Sequence, residues 1–154
     1  MRPRDRLHEY EIAEEYVFHG SDNGAIAEFE PRQALSFQKP DGDPAIFAAA
    51  SIEPAIFMAV LGSRRAAGWD SSRFEPPFGF YISESNFAKA QSEDWSGYVY
   101  VLPRKPFTKG HGWVWRATTP VKPIAAIKVT GADLPAAITV LSDADEAAYV
   151  AANS

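Results

Sequence analysis

The chain contains no cysteine, which removes disulfides, thiolate nucleophiles and cysteine-ligated zinc from consideration. Histidine is scarce. His8, His19 and His111 are widely separated, so no metal site is expected. Long basic runs are also missing, and the formal charge is −5. A nucleic-acid partner is therefore not expected, because a phosphate backbone is met by clustered Lys and Arg. No apolar run is long enough to span a bilayer: the longest, Pro44 to Gly62, is broken by Glu53 and Pro54, and no membrane partner is expected. Arg2, Arg4 and Arg6 are followed by Glu9, Glu11, Glu14 and Glu15 rather than by the apolar segment of a signal peptide, so the expected location is cytoplasmic. A serine-hydrolase elbow, Gly-x-Ser-x-Gly, is absent too.

What is present is 154 residues, 46% of them hydrophobic, which fits a single domain over residues 1–154 with a substantial core. Residues 1–13 are polar and read as a short helix or an arm laid over that core. Ten Phe, six Tyr and four Trp favour strands and an aromatic-lined cleft. Glu15 to His19 reads as a strand stopped by the turn signal Ser21-Asp22-Asn23-Gly24. Ala25 to Asp43 has weak periodicity and reads as a long functional loop. After the short apolar segment Ala45 to Ala50, Ser51 is a good N-cap for a helix from about Ile52 to Gly62, with Ile52, Ala55, Ile56, Ala59 and Val60 on one face. Further strands are expected at 78–82, 97–103, 112–118, 124–129 and 137–141, with helices at 83–91 and at the C-terminus. Strand-rich segments after a strand-helix start predict an α+β fold rather than alternating βαβ units.

The sharpest local feature is Tyr16-Val17-Phe18-His19-Gly20-Ser21, an apolar strand that delivers a histidine into a Gly-Ser turn. A histidine there can hydrogen-bond a ligand hydroxyl while adjacent backbone groups meet a flat amide. The second strand, Ala45-Ile46-Phe47-Ala48-Ala49, can bring an aromatic ring over the same spot. The pair predicts a pocket for a planar, ribose-bearing ligand, provided that the His19 imidazole and the Phe47 ring face one crevice.

In this order the features resemble the ADP-ribosyltransferase superfamily, in its diphtheria-toxin-like branch. Val17-Phe18-His19-Gly20-Ser21 is similar to the first motif of that family, and Ala45-Ile46-Phe47-Ala48-Ala49 with its helix to the second, where tyrosine is usual at the place of Phe47. Gly112-Trp113-Val114-Trp115-Arg116 and Pro120 to Val129 resemble the later strand pair. The resemblance covers roughly two thirds of the chain. It implies two small facing β-sheets with flanking helices around an NAD-binding cleft, NAD as substrate, and transfer of ADP-ribose to a protein or small-molecule acceptor. His19 would then hold a ribose hydroxyl, Gly20 the nicotinamide amide through its backbone, and Phe47 would stack on the ring. The family's acidic residue falls at or beside Gly112, where Lys109-Gly110-His111-Gly112-Trp113 has neither Asp nor Glu. An oxocarbenium-like transition state would lack its anion there. His111, Glu75, Glu84 and Glu93 are the candidates to fill the place, and the sequence does not choose among them.

Each site residue also has a plain structural reading. Ser21 either meets the ligand or satisfies its own turn. Arg32, in the long loop, either clasps a pyrophosphate or is solvated. Phe47 is either a stacking ring or ordinary core. The missing acid gives an alternative function, a catalytically silent module of the same fold that binds a nucleotide or a protein. A 2′-phosphotransferase acting on RNA ends would want a more basic cleft than this acidic chain supplies.

Overall fold

The computed structural model describes residues 1–33, 35–36, 39–40, 43–61, 80–92, 95–110, 114–136 and 138–152. Pro3 opens α1 (Pro3–Ala13) at the position where its missing N–H costs nothing, and Glu14, at φ 58°, ends it in the left-handed region. The helix lies on the core: Leu7 is fully buried. Its polar residues tie it down. Glu11 Oε2 accepts the Ile52 N–H at 2.8 Å, the Arg4 guanidinium pairs with the Glu53 carboxylate, and Arg4 Nε donates to the Asp133 carbonyl at 2.9 Å.

The chain continues through β1 (Tyr16–Ser21), β2 (Leu35–Ser36), β3 (Lys39–Pro40), β4 (Ile46–Ala49) and α2 (Ile52–Leu61), then β5 (Phe80–Ser83), α3 (Glu84–Ser92) and β6 (Ser96–Pro103). It ends with β7 (Thr108–Lys109), β8 (Val114–Ala117), β9 (Ala125–Thr130), a 3-10 turn at Gly131–Asp133, β10 (Ile138–Leu141) and α4 (Asp143–Ala152). The fold is α+β. Six strands form one antiparallel sheet in the order β7-β8-β4-β1-β6-β9, β5 and β10 pair in parallel, and β2 and β3 pair antiparallel. This differs from the expected two small facing sheets: the strands of the later segments extend the first sheet on both sides instead of building a second one opposite it. The segment expected to be one long loop is also partly pinned, by bridges from Phe29 to Val121 and from Arg32 to Ala45.

The two faces of the six-stranded sheet are covered differently. On one, Phe18, Val99, Val101, Ile127 and Val129 pack under α2, with α1 and β5 completing the core. Eight of the ten α2 residues are buried, so this helix is apolar all round and lies inside the protein, with the Phe57 ring 5.0 Å from Phe80. On the other face Val17, Ile46, Ala48, Tyr100, Leu102 and Ala117 are covered by connecting segments carrying Phe29, Phe107 and Val121. Alternation along each strand sorts the side chains. Phe18 and Gly20 turn to the helix; Val17, His19 and Ser21 turn to the loops.

The sheet is unevenly stitched. β1 and β6 are in register over six residue pairs and β4 and β8 over four, whereas β1 and β4 share a single pair, Phe18 with Ala49. Beyond it no ladder pair joins the two strands. The three-stranded halves β7-β8-β4 and β1-β6-β9 therefore meet along a short seam. Past the seam, Arg32 takes up the backbone of Ala45, with N–H···O bonds of 3.1 and 2.9 Å.

Candidate functional site

His19 stands where the seam opens. Its Nδ1 lies 2.6 Å from the Phe47 carbonyl, a side-chain bond spanning the two strands where ladder pairing has ended. A carbonyl only accepts, so Nδ1 carries the proton and Nε2 keeps its lone pair. Desolvation by burial pushes the His19 pKa below its ordinary value, against the opposite pull of the Phe47 carbonyl, and the positive charge of Arg32 also lowers it. His19 is thus a neutral imidazole at pH 7 with an acceptor nitrogen, suited to a hydroxyl that donates.

The ring is held in place by aromatics. Phe29 meets it edge-on with centroids 4.8 Å apart, and Phe29 in turn meets Tyr100 at 5.1 Å. Tyr100, the cross-strand partner of His19, is buried and pins the 22–26 turn: its hydroxyl donates to the Asn23 carbonyl at 2.5 Å and accepts the Ile26 N–H at 3.1 Å. Phe29 itself is fixed by paired backbone bonds to Val121 of 2.8 and 2.9 Å.

Phe47 lies elsewhere than expected. Its partner Arg116 and its neighbours Ile46 and Ala48 establish the alternation of β4, with Ile46 and Ala48 on the loop face. The Phe47 ring therefore points to the helix face, opposite to His19, and the Arg116 guanidinium lies over it at 5.4 Å. One residue offers its carbonyl to the imidazole and its ring to a cation. The crevice shared by both rings is not formed, because a one-residue step along a strand reverses the face. On the side of His19 the aromatic wall is Phe29, which aperiodic sequence around it gave no signal to find.

Gly20 has a packing reason of its own. A Cβ there would meet the Ala55 carbonyl oxygen and lie 2.6 Å from the Ala59 nitrogen, so α2 sits directly on the strand. Gly97 is the same kind of contact, with Ala59 again opposite. Ser21 Oγ accepts the Asn23 N–H at 3.1 Å and so satisfies its own turn. Arg32 is exposed, close enough to His19 for its charge to act there. Of the four candidates for the acidic role, Glu84 opens α3 with an exposed side chain, in the layer of β5 and not on the loop face. Glu75, Glu93 and His111, together with the Gly112 position, lie outside the described residues.

Among the described residues no group of three or more His, Cys, Asp or Glu could hold a metal ion. None of their helices is long and apolar enough to cross a membrane. An open depression lined by Met1, Arg6, Glu9, Tyr10, Ala13 and Tyr16 lies over α1 at the start of β1, away from His19. Compared with protein-family models, curated proteins and solved structures, the chain matches none of them.

Proposed function

We propose that the opening between β1 and β4 is a crevice for NAD, and that the chain is an ADP-ribosyltransferase-like protein that transfers ADP-ribose to a protein or small-molecule acceptor. The observation that carries this reading is the short seam. Two strands that pair at one position and are then joined only by the side chain of a neutral histidine place an imidazole acceptor at one strand junction. Nε2 of His19 would take a ribose hydroxyl, the strand backbone at Gly20 the carboxamide, and Arg32 would supply positive charge toward the diphosphate. Phe29, rather than Phe47, is the ring on that side.

A second reading, a catalytically silent module that binds a nucleotide or another protein on the same fold, is favoured by one specific observation. Lys109-Gly110-His111-Gly112-Trp113 offers no carboxylate where the resemblance places the acid.

Calorimetric titration of the folded protein with NAD, paired with an assay for released nicotinamide, separates the two. Binding with nicotinamide release is the expected result, and His19→Ala should weaken NAD binding by about 1–3 kcal/mol, the cost of an unmade buried hydrogen bond. Binding without release moves the conclusion to the silent module. Folded protein that neither binds nor consumes NAD refutes both forms of the NAD reading.

A further inference from the structure

The depression over α1 is built from one stripe of that helix and the first residue of β1. Arg6, Glu9, Tyr10 and Ala13 recur at spacings of three and four and so share one face of α1, while Tyr16 closes the wall from the strand. The space is open and measures about 620 Å³, room for a small molecule. Its two rings stand at right angles, with an interplanar angle of 88° and centroids 5.2 Å apart. Both are half-buried and pack against the core cluster of α2, and the Arg104 guanidinium steadies the strand end by donating twice to the Tyr16 carbonyl, at 3.1 and 3.0 Å. Arg6 and Glu9 are exposed. Opposite charges three apart on a helix can pair, yet neither side chain enters any of the ion pairs found among the described residues.

A corner of two tyrosine rings offers negative π faces to a cation. It suits a quaternary ammonium better than a primary one, whose N–H groups must give up water for rings that accept no full hydrogen bond. Glu9 supplies the countercharge. Arg6 opposes a bare cation but favours one that carries its own oxyanion, which a guanidinium meets in a forked contact. Side chains three apart on a helix have Cβ atoms about 5–6 Å apart, so the two charges match a zwitterion whose poles are separated by a few bonds. We infer that this depression binds a small zwitterion of the phosphocholine type, its trimethylammonium group in the Tyr10–Tyr16 corner beside Glu9 and its phosphate on Arg6. The site is independent of the NAD reading: it lies away from His19 and needs no nicotinamide, ribose or transfer chemistry.

The test uses the full chain and phosphocholine. In saturation-transfer ¹H spectra the N-methyl protons of phosphocholine should receive magnetisation from the aromatic protons of the protein, and the backbone amides of α1 around Tyr10 should shift saturably. Tyr10→Leu, which keeps the bulk and removes the π face, should lower the affinity by about 2- to 30-fold, the span of a cation–π contact from exposed to desolvated sites. Arg6→Gln should lower it by about 2- to 5-fold, as for an exposed ion pair, and should leave choline, which carries no oxyanion, bound at least as well as before. Phosphoethanolamine, with its primary ammonium, should bind more weakly than phosphocholine. Phosphocholine that gives neither N-methyl transfer nor amide shifts overturns the inference, as does a Tyr10→Leu protein that binds it as tightly as wild type. Equal binding of the carbon isostere, with a quaternary carbon in place of the nitrogen, overturns the cation assignment. Binding to phosphatidylcholine vesicles without any response to free phosphocholine overturns the assignment to a small molecule. Should Tyr10→Leu not fold, Arg6→Gln, at an exposed position, and the wild-type titrations still decide.

Discussion

Replacing Gly20 by alanine adds one methyl group where the backbone of α2 already stands. The new Cβ would lie 2.6 Å from the Ala59 nitrogen, 3.1 Å from the Ala55 carbonyl carbon and closer still to its oxygen. Ordinary carbon contacts are about 3.5–4.0 Å, so the helix must withdraw by roughly 1 Å. It cannot swing a side chain aside, because the obstructing atoms are main chain. It also cannot withdraw freely, since eight of its ten residues are buried, in one core cluster with Phe80 and Leu7. Overpacking of this kind costs about 1–3 kcal/mol, and the rigidity of the obstruction puts Gly20→Ala at about 3 kcal/mol. Reduced freedom of the unfolded chain returns about 0.4–1 kcal/mol. The net expectation is a loss of about 2 kcal/mol, or a fall in Tm of about 4–8 °C for a domain of this size. Urea denaturation followed by far-UV circular dichroism measures it. Gly24→Ala is the comparison, because there a Cβ meets only the ring of Tyr98, a half-buried side chain and not main chain, and the cost should be smaller than at Gly20. A Gly20→Ala protein within about 0.5 kcal/mol of wild type would refute the reasoning and return the glycine to a role in ligand binding alone.

Other substitutions test the aromatic cluster and the histidine. Tyr100→Phe removes the hydroxyl that holds Asn23 and Ile26; it should cost about 1–2 kcal/mol and speed amide exchange at Ile26, and unchanged exchange would show that the turn is held by other means. For His19 the folded pKa lies below the unfolded one, so the unfolded chain binds more protons in the interval between them. Its contribution to stability is therefore complete above the unfolded value of about 6.5 and declines as the pH falls below that toward the folded pKa. In His19→Gln the loss of stability between pH 7 and 5 should be shallower than in wild type, as measured by denaturant midpoints at each pH; parallel curves would contradict a burial-depressed imidazole.

The strands that carry the proposed site were legible because their sequence alternates or is bounded by strong turn chemistry. Tyr16 to His19 before Ser21-Asp22-Asn23-Gly24, and Tyr98 to Leu102 before Pro103, are read within a residue or two of β1 and β6. Ser51, expected to cap α2, does so, its Oγ accepting the Glu53 N–H at 3.4 Å. The pairing of β5 with β10 was not legible, since parallel partners 58 residues apart, Phe80 and Ile138, carry no local signal of each other. Phe29 likewise reaches His19 only because Val121 draws its segment across the sheet.

By itself the sequence determined the order of the longer elements, the α+β class, and the placing of a histidine and a glycine in one strand before a turn, all of which follow from periodicity and turn chemistry within short windows; the two-residue strands β2, β3 and β7 were not among them. The tertiary structure decided which face each side chain occupies. Phe47 and His19 lie within neighbouring strands, but strand register sends one ring to the helix face, under Arg116, and the other to Phe29, and register is a property of two strands together. It also decided that Gly20 makes room for a helix, since that depends on which chain segment comes to lie against it, and no residue carries that information alone.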